Sequence, residues 1–195
     1  MKKVFDMALN RMFDVEKYLG KKTEKFMETT KFIALVSVIP AVILAIATYV
    51  GYGTILGTIA LPELALAGYI EMAAATVLIG TIISAILFLV IGAIVIYIFA
   101  MLLGGKGKYD DSVAALAAAL NPVLLLGWIP FINIIAIVFS PAVLVYGVAK
   151  KHRLSMFKAA IAIAIPSIII ALIGAYVATV TIPAMVQSFI PGFVG

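Results

Sequence analysis

Apolar residues occupy long unbroken runs along this chain, separated by short clusters of charge. The first run extends from Phe32 to Gly105 and contains only Glu63 and Glu71; the second, Ser112 to Ala149, has no charged residue in 38 positions; the third opens at Ala159 and runs on to Gly195. As one helix the second run would measure about 57 Å at about 1.5 Å per residue. That is nearly twice a hydrocarbon core of about 30 Å. Near its middle stands "NPVLLLGWIP", residues 121–130, where Gly127 and Pro130 supply a turn and the residue before Pro130 is biased away from helix. The pattern therefore predicts a hairpin of two spans, 112–126 and 131–149, with Trp128 placed for an interfacial belt. Pro122 falls inside the first arm, where Asn121 or neighbouring helices are expected to satisfy the carbonyl it frees.

Composition agrees. Of 195 residues 65% are apolar, and the mean hydropathy is +1.25, too apolar for a soluble domain of this size. The fold class expected is all-α, a polytopic membrane protein. Cysteine is absent, which removes disulfides, thiolate metal sites and cysteine nucleophiles together. The first apolar run is long enough to span and starts late, so it reads as an anchor in a mature N-terminus rather than a cleaved leader.

Charge then orients the spans. Eight of the fourteen Lys and Arg lie between Lys2 and Lys31, two are Lys106 and Lys108, and four are Lys150, Lys151, Arg153 and Lys158. Basic clusters stay on the cytoplasmic side, so each run between them crosses an even number of times. The expectation is a segment 1–31 on the cytoplasmic face and a five-helix domain 32–195. Its spans fall at about 32–51, 72–103, 112–126, 131–149 and 159–185, with the N-terminus inside and the C-terminus outside. The apolar, Gly-rich connection 52–70 reads either as an outer loop or as a re-entrant segment, and the long second span must tilt or project.

Segment 1–31 carries eight bases and five acids and has Phe5, Leu9, Met12, Phe13, Val15 and Leu19 near helical spacing. It predicts an amphipathic helix, either lying on an anionic leaflet or packed under the spans. In "GGKGKYDD" the glycines suit a tight turn, and Asp110, Asp111 and Ser112 are candidate caps for the third span. In "KKHRLSMFKAA", Ser155 is the expected N-cap of the fifth span, and His152, between Lys151 and Arg153, is expected to be a solvated loop residue. Lys21, Lys22, Lys106, Lys108, Lys150, Lys151 and Arg153 are the candidate contacts for a partner or lipid headgroups.

Catalytic chemistry is not visible. Ser37, Ser84, Ser140 and Ser167 stand among alkyl side chains and read as backbone-bonding or helix-contact serines. No residues are expected to be catalytic, to ligate a metal or to hold a cofactor. Glu63 and Glu71 belong to the outer interface. Small residues, Ala114, Ala115, Ala117, Ala118 and Ala119 and the pairs Gly80 with Ser84 and Gly174 with Ala178, predict close helix packing within the chain or between copies.

The segment "GGKGKYDDSVAALAAALNPVLLLGWIPFINIIAIVFSPAVLVYGVAKKHRLSMFKAAIAIAIP" resembles the central and C-terminal part of the Yip domain of Ypt/Rab-interacting membrane proteins and their prokaryotic relatives. The resemblance rests on the Gly-rich basic turn Gly104 to Lys108, the proline-bearing span at Pro122, the turn Gly127 to Pro130 and "HRLSMFKA" opening the last span. It covers about residues 75–180 and implies five spans and association with other proteins or with copies of itself. The Asp-Leu-Tyr-Gly-Pro type signature of eukaryotic members is replaced here by "KKTEKFMETTKF", so GTPase binding does not carry over. The short N-terminus and lack of cysteine resemble a prokaryotic member, which would place the chain in the plasma membrane.

Two functions are left. One is a non-enzymatic Yip-type protein acting through self-association or partner binding at the cytoplasmic face, with the bilayer, anionic lipid and a homo-oligomer as expected partners and no nucleic acid. The other is a small-solute, ion or lipid transporter or channel, in which helices interrupted at Pro40, Pro122, Pro141 and Pro166 line a site with Asn121 and Asn133.

Overall fold

The computed structural model describes residues 14–20, 23–56 and 63–181, without the side chains of 52–56, 63–69 and 181. Among the described residues there is no strand. A short helix α1 (Val15–Gly20) is followed by α2 (Phe26–Leu56), α3 (Glu63–Leu102), α4 (Tyr109–Leu126), α5 (Ile132–His152) and α6 (Met156–Tyr176), the last running into a wider π-helical turn, Val177–Thr181. Helices α2 to α6 are long and apolar enough to cross a membrane, over Phe26–Gly51, Ile70–Leu102, Tyr109–Leu126, Ile132–His152 and Met156–Val180. The hairpin expected around residues 127–130 is present, its turn closed by the Gly127 N–H on Val123 O at 2.8 Å and the Ile129 N–H on Leu126 O at 3.0 Å. Trp128, 38% exposed, sits in that turn.

Three boundaries differ from expectation. The first span begins at Phe26 rather than 32, because a continuous helix carries Lys31 on its exposed side. Most of the connection 52–70 is helix: α2 continues to Leu56 and α3 already starts at Glu63, while 57–62 lie outside the described residues. At 40 residues α3 would measure about 60 Å, so it outruns the hydrocarbon core and must tilt or project from it. The amphipathic-helix expectation rests largely on residues 1–13, which lie outside the described residues, as do Lys21, Lys22 and the end of the fifth span.

The prolines do not break the helices. Pro40, Pro122, Pro141 and Pro166 all lie inside continuous α2, α4, α5 and α6, which removes the interrupted helices on which the transport reading relied. Asn121 does not supply the freed carbonyl either: its amide is buried, 0% exposed, with neither side-chain oxygen nor nitrogen bonded to a protein group. Pro122 frees Ala118 O; one residue on, the facing helix adds a bond of its own, Ser140 Oγ donating to Ala119 O at 2.5 Å.

α4 is the central helix. Ala114 to Ala119 are all buried, and α4 packs against α1, α2, α3 and α5. Lipid is as apolar as leucine, so association of spans rests on close packing and polar ties rather than on the hydrophobic effect. Alanine on α4 and glycine on its neighbours permit that closeness. A Cβ on Gly147 of α5 would meet Ala115 Cβ at 3.0 Å, and one on Gly92 of α3 would meet Leu116 Cδ2 at 2.9 Å. The sequence pairs starting at Gly80 and Gly174 behave differently, for a Cβ at either would meet nothing. α1 packs beneath the α4–α5 hairpin: Leu19, 2% exposed, joins Ala118, Ala119 and Val143. α6 lies against α3 and α5 with most of its surface exposed.

Candidate functional site

The polar chemistry collects at one end of the bundle, where α2 begins, α3 meets α4 and α5 meets α6. Two helix ends build the frame. At the end of α3, Gly104 takes φ +89°, a left-handed conformation natural to glycine, and the Gly104 and Gly105 N–H groups bond Met101 O at 3.0 Å and Ala100 O at 2.8 Å. α5 ends with the same motif, but Arg153 holds the left-handed position with φ 55° while the Leu154 N–H bonds Ala149 O at 2.9 Å. A non-glycine residue held there costs roughly 1–2 kcal/mol. The two ends are joined by the Lys106 N–H on His152 O at 2.9 Å.

His152 fills the space between them. The expectation of a solvated loop residue is overturned: His152 is 0% exposed and its Nε2 lies 2.8 Å from Ser112 Oγ. It occupies the last turn of α5 on the same face as buried Val148 and Ala149, a face set by helical spacing. Gly107 lies so close that a Cβ there would be 2.6 Å from His152 Nδ1. The ring of Tyr97 is 6.3 Å away, and Tyr97, Tyr109 and Phe26 continue the aromatic cluster. A serine beside an imidazole is also the geometry of a nucleophile and its base. Here both groups are fully buried and Nδ1 has no protein partner to orient the ring, so the pair ties α4 to α5.

Around it runs a polar chain. Asp111 Oδ2 accepts the Lys108 N–H at 2.8 Å, closing the start of α4, and its Oδ1 accepts the Thr23 hydroxyl. Asp111 is thus a cap from the third helical position, while Ser112, also considered as a cap, faces His152. Lys151 Nζ donates to Thr23 Oγ1 at 3.0 Å. Lys150 Nζ lies 3.9 Å from Glu16 Oε1 and 3.3 Å from Glu16 O. Lys158 Nζ reaches Leu103 O at 3.3 Å, and Ser155 Oγ accepts the Lys158 N–H at 3.3 Å, the N-cap expected for the last span.

A family model of the Yip1 domain matches residues 21–178. The chain belongs to the Yip1 domain family. No curated protein and no solved structure matches it significantly. The Yip1 match contains every element of this junction except α1 and reaches two residues into the final π-helical turn.

Within the Yip1 domain the expected basic residues divide. Lys151 is half-buried against Thr23, whereas Lys106, Lys108, Lys150 and Arg153 are exposed, Lys150 with its ammonium against Glu16 of α1. The two asparagines do not form a lining: Asn121 is enclosed in α4, and Asn133 is half-buried in the first turn of α5. The four intramembrane serines behave as expected. Ser37, Ser84 and Ser167 bond carbonyls of their own helices, and Ser140 bonds across to α4. Sequence spacing does not show that Thr23 meets Asp111 and Lys151, that Ser112 meets His152, or that Lys158 reaches Leu103. The only local signal for His152 was the close spacing of glycines in "GGKGK", which leaves room for its ring.

Proposed function

We propose that this Yip1-domain protein acts without catalysis, by binding a protein partner or a second copy of itself at its basic end, and that this end faces the cytoplasm. The observation that carries the reading is the junction itself. Basic clusters far apart in sequence meet at one end of the five-span bundle, held by Asp111, Thr23 and the buried Ser112–His152 tie. Five spans with the lysines and arginines of the described residues gathered there support an N-terminus inside and a C-terminus outside under the positive-inside rule. The chain resides in the cell membrane on this reading. The strained backbone at Arg153 adds support: glycine would suit φ 55° better, so the side chain is held on the exposed rim for what it contacts. The protein has no cysteine, so single cysteines introduced at Lys106, Arg153 and Trp128 can be labelled in intact cells or oriented vesicles. Lys106→Cys and Arg153→Cys are expected to react only from the cytoplasmic side and Trp128→Cys only from the other. The reverse pattern would defeat the orientation. Charge reversal of Lys106, Lys108 and Arg153 together is expected to abolish a discrete crosslinked adduct in native membranes, and undiminished adduct would count against binding at this face.

A further inference from the structure

Between α3 and α6 a groove of about 590 Å³ opens on the side of the bundle, lined by Leu87, Ile91, Val95, Leu116, Ile163 and Pro166 among others. Its volume is that of a ligand site, about 300–1,000 Å³. The two hydroxyls in its wall are already spent: Ser84 Oγ donates to Thr81 O at 3.0 Å and Ser167 Oγ to Ile163 O at 2.8 Å. The groove therefore offers an occupant dispersion contacts and almost no hydrogen bond, which suits hydrocarbon and not a polar solute. From Ser84 to Ile96 it spans about 18 Å of helix axis, close to one leaflet of a core about 30 Å thick.

A cation lies beyond one end of this groove. Ile163 begins its α6 wall about 7.5 Å along the axis from exposed Lys158, whose Nζ bridges to Leu103 O and so joins the two groove walls at the basic end. An ammonium has three donors, and this contact uses one. Exposed Met156 and Phe157 flank it, as apolar side chains do at a headgroup boundary. We infer that the α3–α6 groove holds an acyl chain of an anionic glycerophospholipid whose phosphate is gripped by Lys158. An anionic lipid satisfies both halves of the site, the apolar trough and the cation at its mouth.

The test is native mass spectrometry of the full-length protein released from mixed micelles containing equal phosphatidylglycerol and phosphatidylcholine. The wild type is expected to retain phosphatidylglycerol about five- to tenfold better, the size of one cation at a membrane surface. Lys158→Gln should remove that preference while leaving total lipid retained. Ala171→Phe, which fills the groove, should lower retention of both lipids, and Ser167→Leu serves if the first variant folds poorly by circular dichroism. Equal retention of the two lipids by the wild type would overturn the inference. So would a Lys158→Gln variant with the wild-type preference, filled-groove variants that bind as the wild type does, or a lipid-free dimer.

Discussion

Removing the Ser112 hydroxyl separates the tie from mere packing. In Ser112→Ala, His152 Nε2 loses the partner now at 2.8 Å, in a site where the ring is fully buried and Nδ1 has no protein partner. A buried polar group stripped of its partner costs about 1–3 kcal/mol. The opposite deletion is milder. His152→Phe keeps a ring beside Tyr97, and the released serine can turn to a carbonyl in the preceding turn of its own helix. The double variant places two apolar groups together, a change that can be nearly neutral. The cycle therefore predicts a marked asymmetry: Ser112→Ala destabilises by about 1–3 kcal/mol, His152→Phe by less, and the pair by less than the sum, with a coupling of about 1–2 kcal/mol, inside the range for contacting residues. The assay is reversible unfolding in mixed micelles, followed by fluorescence of Trp128, the single tryptophan, which lies in the far turn and away from both mutations. A Ser112→Ala variant as stable as the wild type, or single effects that simply add, would refute the tie.

Other outcomes follow from individual contacts. Asn121→Leu keeps the branched heavy-atom skeleton and removes a buried amide with no protein partner, so thermal unfolding should show stabilisation of about 1–3 kcal/mol; destabilisation would show that the amide has a partner in the membrane. Gly147→Val drives a side chain into Ala115, already 3.0 Å from a lone Cβ, and should cost about 1–3 kcal/mol or more, whereas Gly174→Val, with nothing near it, should leave the midpoint unchanged. Arg153→Gly should raise stability by about 1–2 kcal/mol through relief of the left-handed strain while reducing crosslinking at the basic end; a variant both less stable and fully crosslinked would contradict the role given to that side chain.

How much of this was legible depended on the range over which each cause acts. Spans and the turn at Gly127 to Pro130 are set by local hydropathy and turn chemistry, and Ser155 by its position three residues before the N–H it accepts, so these could be read along the chain. The burial of His152 could not. Its neighbours Lys151 and Arg153 argue for solvent, and the decision comes from Ser112, forty residues earlier, and from glycines on another connection. The prolines follow a related rule: a lone proline weakens a soluble helix, but α2, α4, α5 and α6 run on unbroken through theirs among packed neighbours. Lys151 is drawn inward by Thr23 while Lys150 stays exposed beside Glu16, and neither contact is visible in the local spacing. Helix packing made these assignments, and it left few traces in local spacing.

On the proposed function, the basic end is where this Yip1-domain protein meets its partner. A photo-crosslinking residue placed at Arg153 and, in a second chain, at Trp128, activated in native membranes and resolved by intact mass, tests it most directly. The account predicts one discrete adduct from position 153, with a second copy or a single other protein, which disappears when Lys106 and Lys108 are reversed in charge, and no such adduct from position 128. Adducts from position 128 alone, or none from position 153 with the protein folded and inserted, would contradict it.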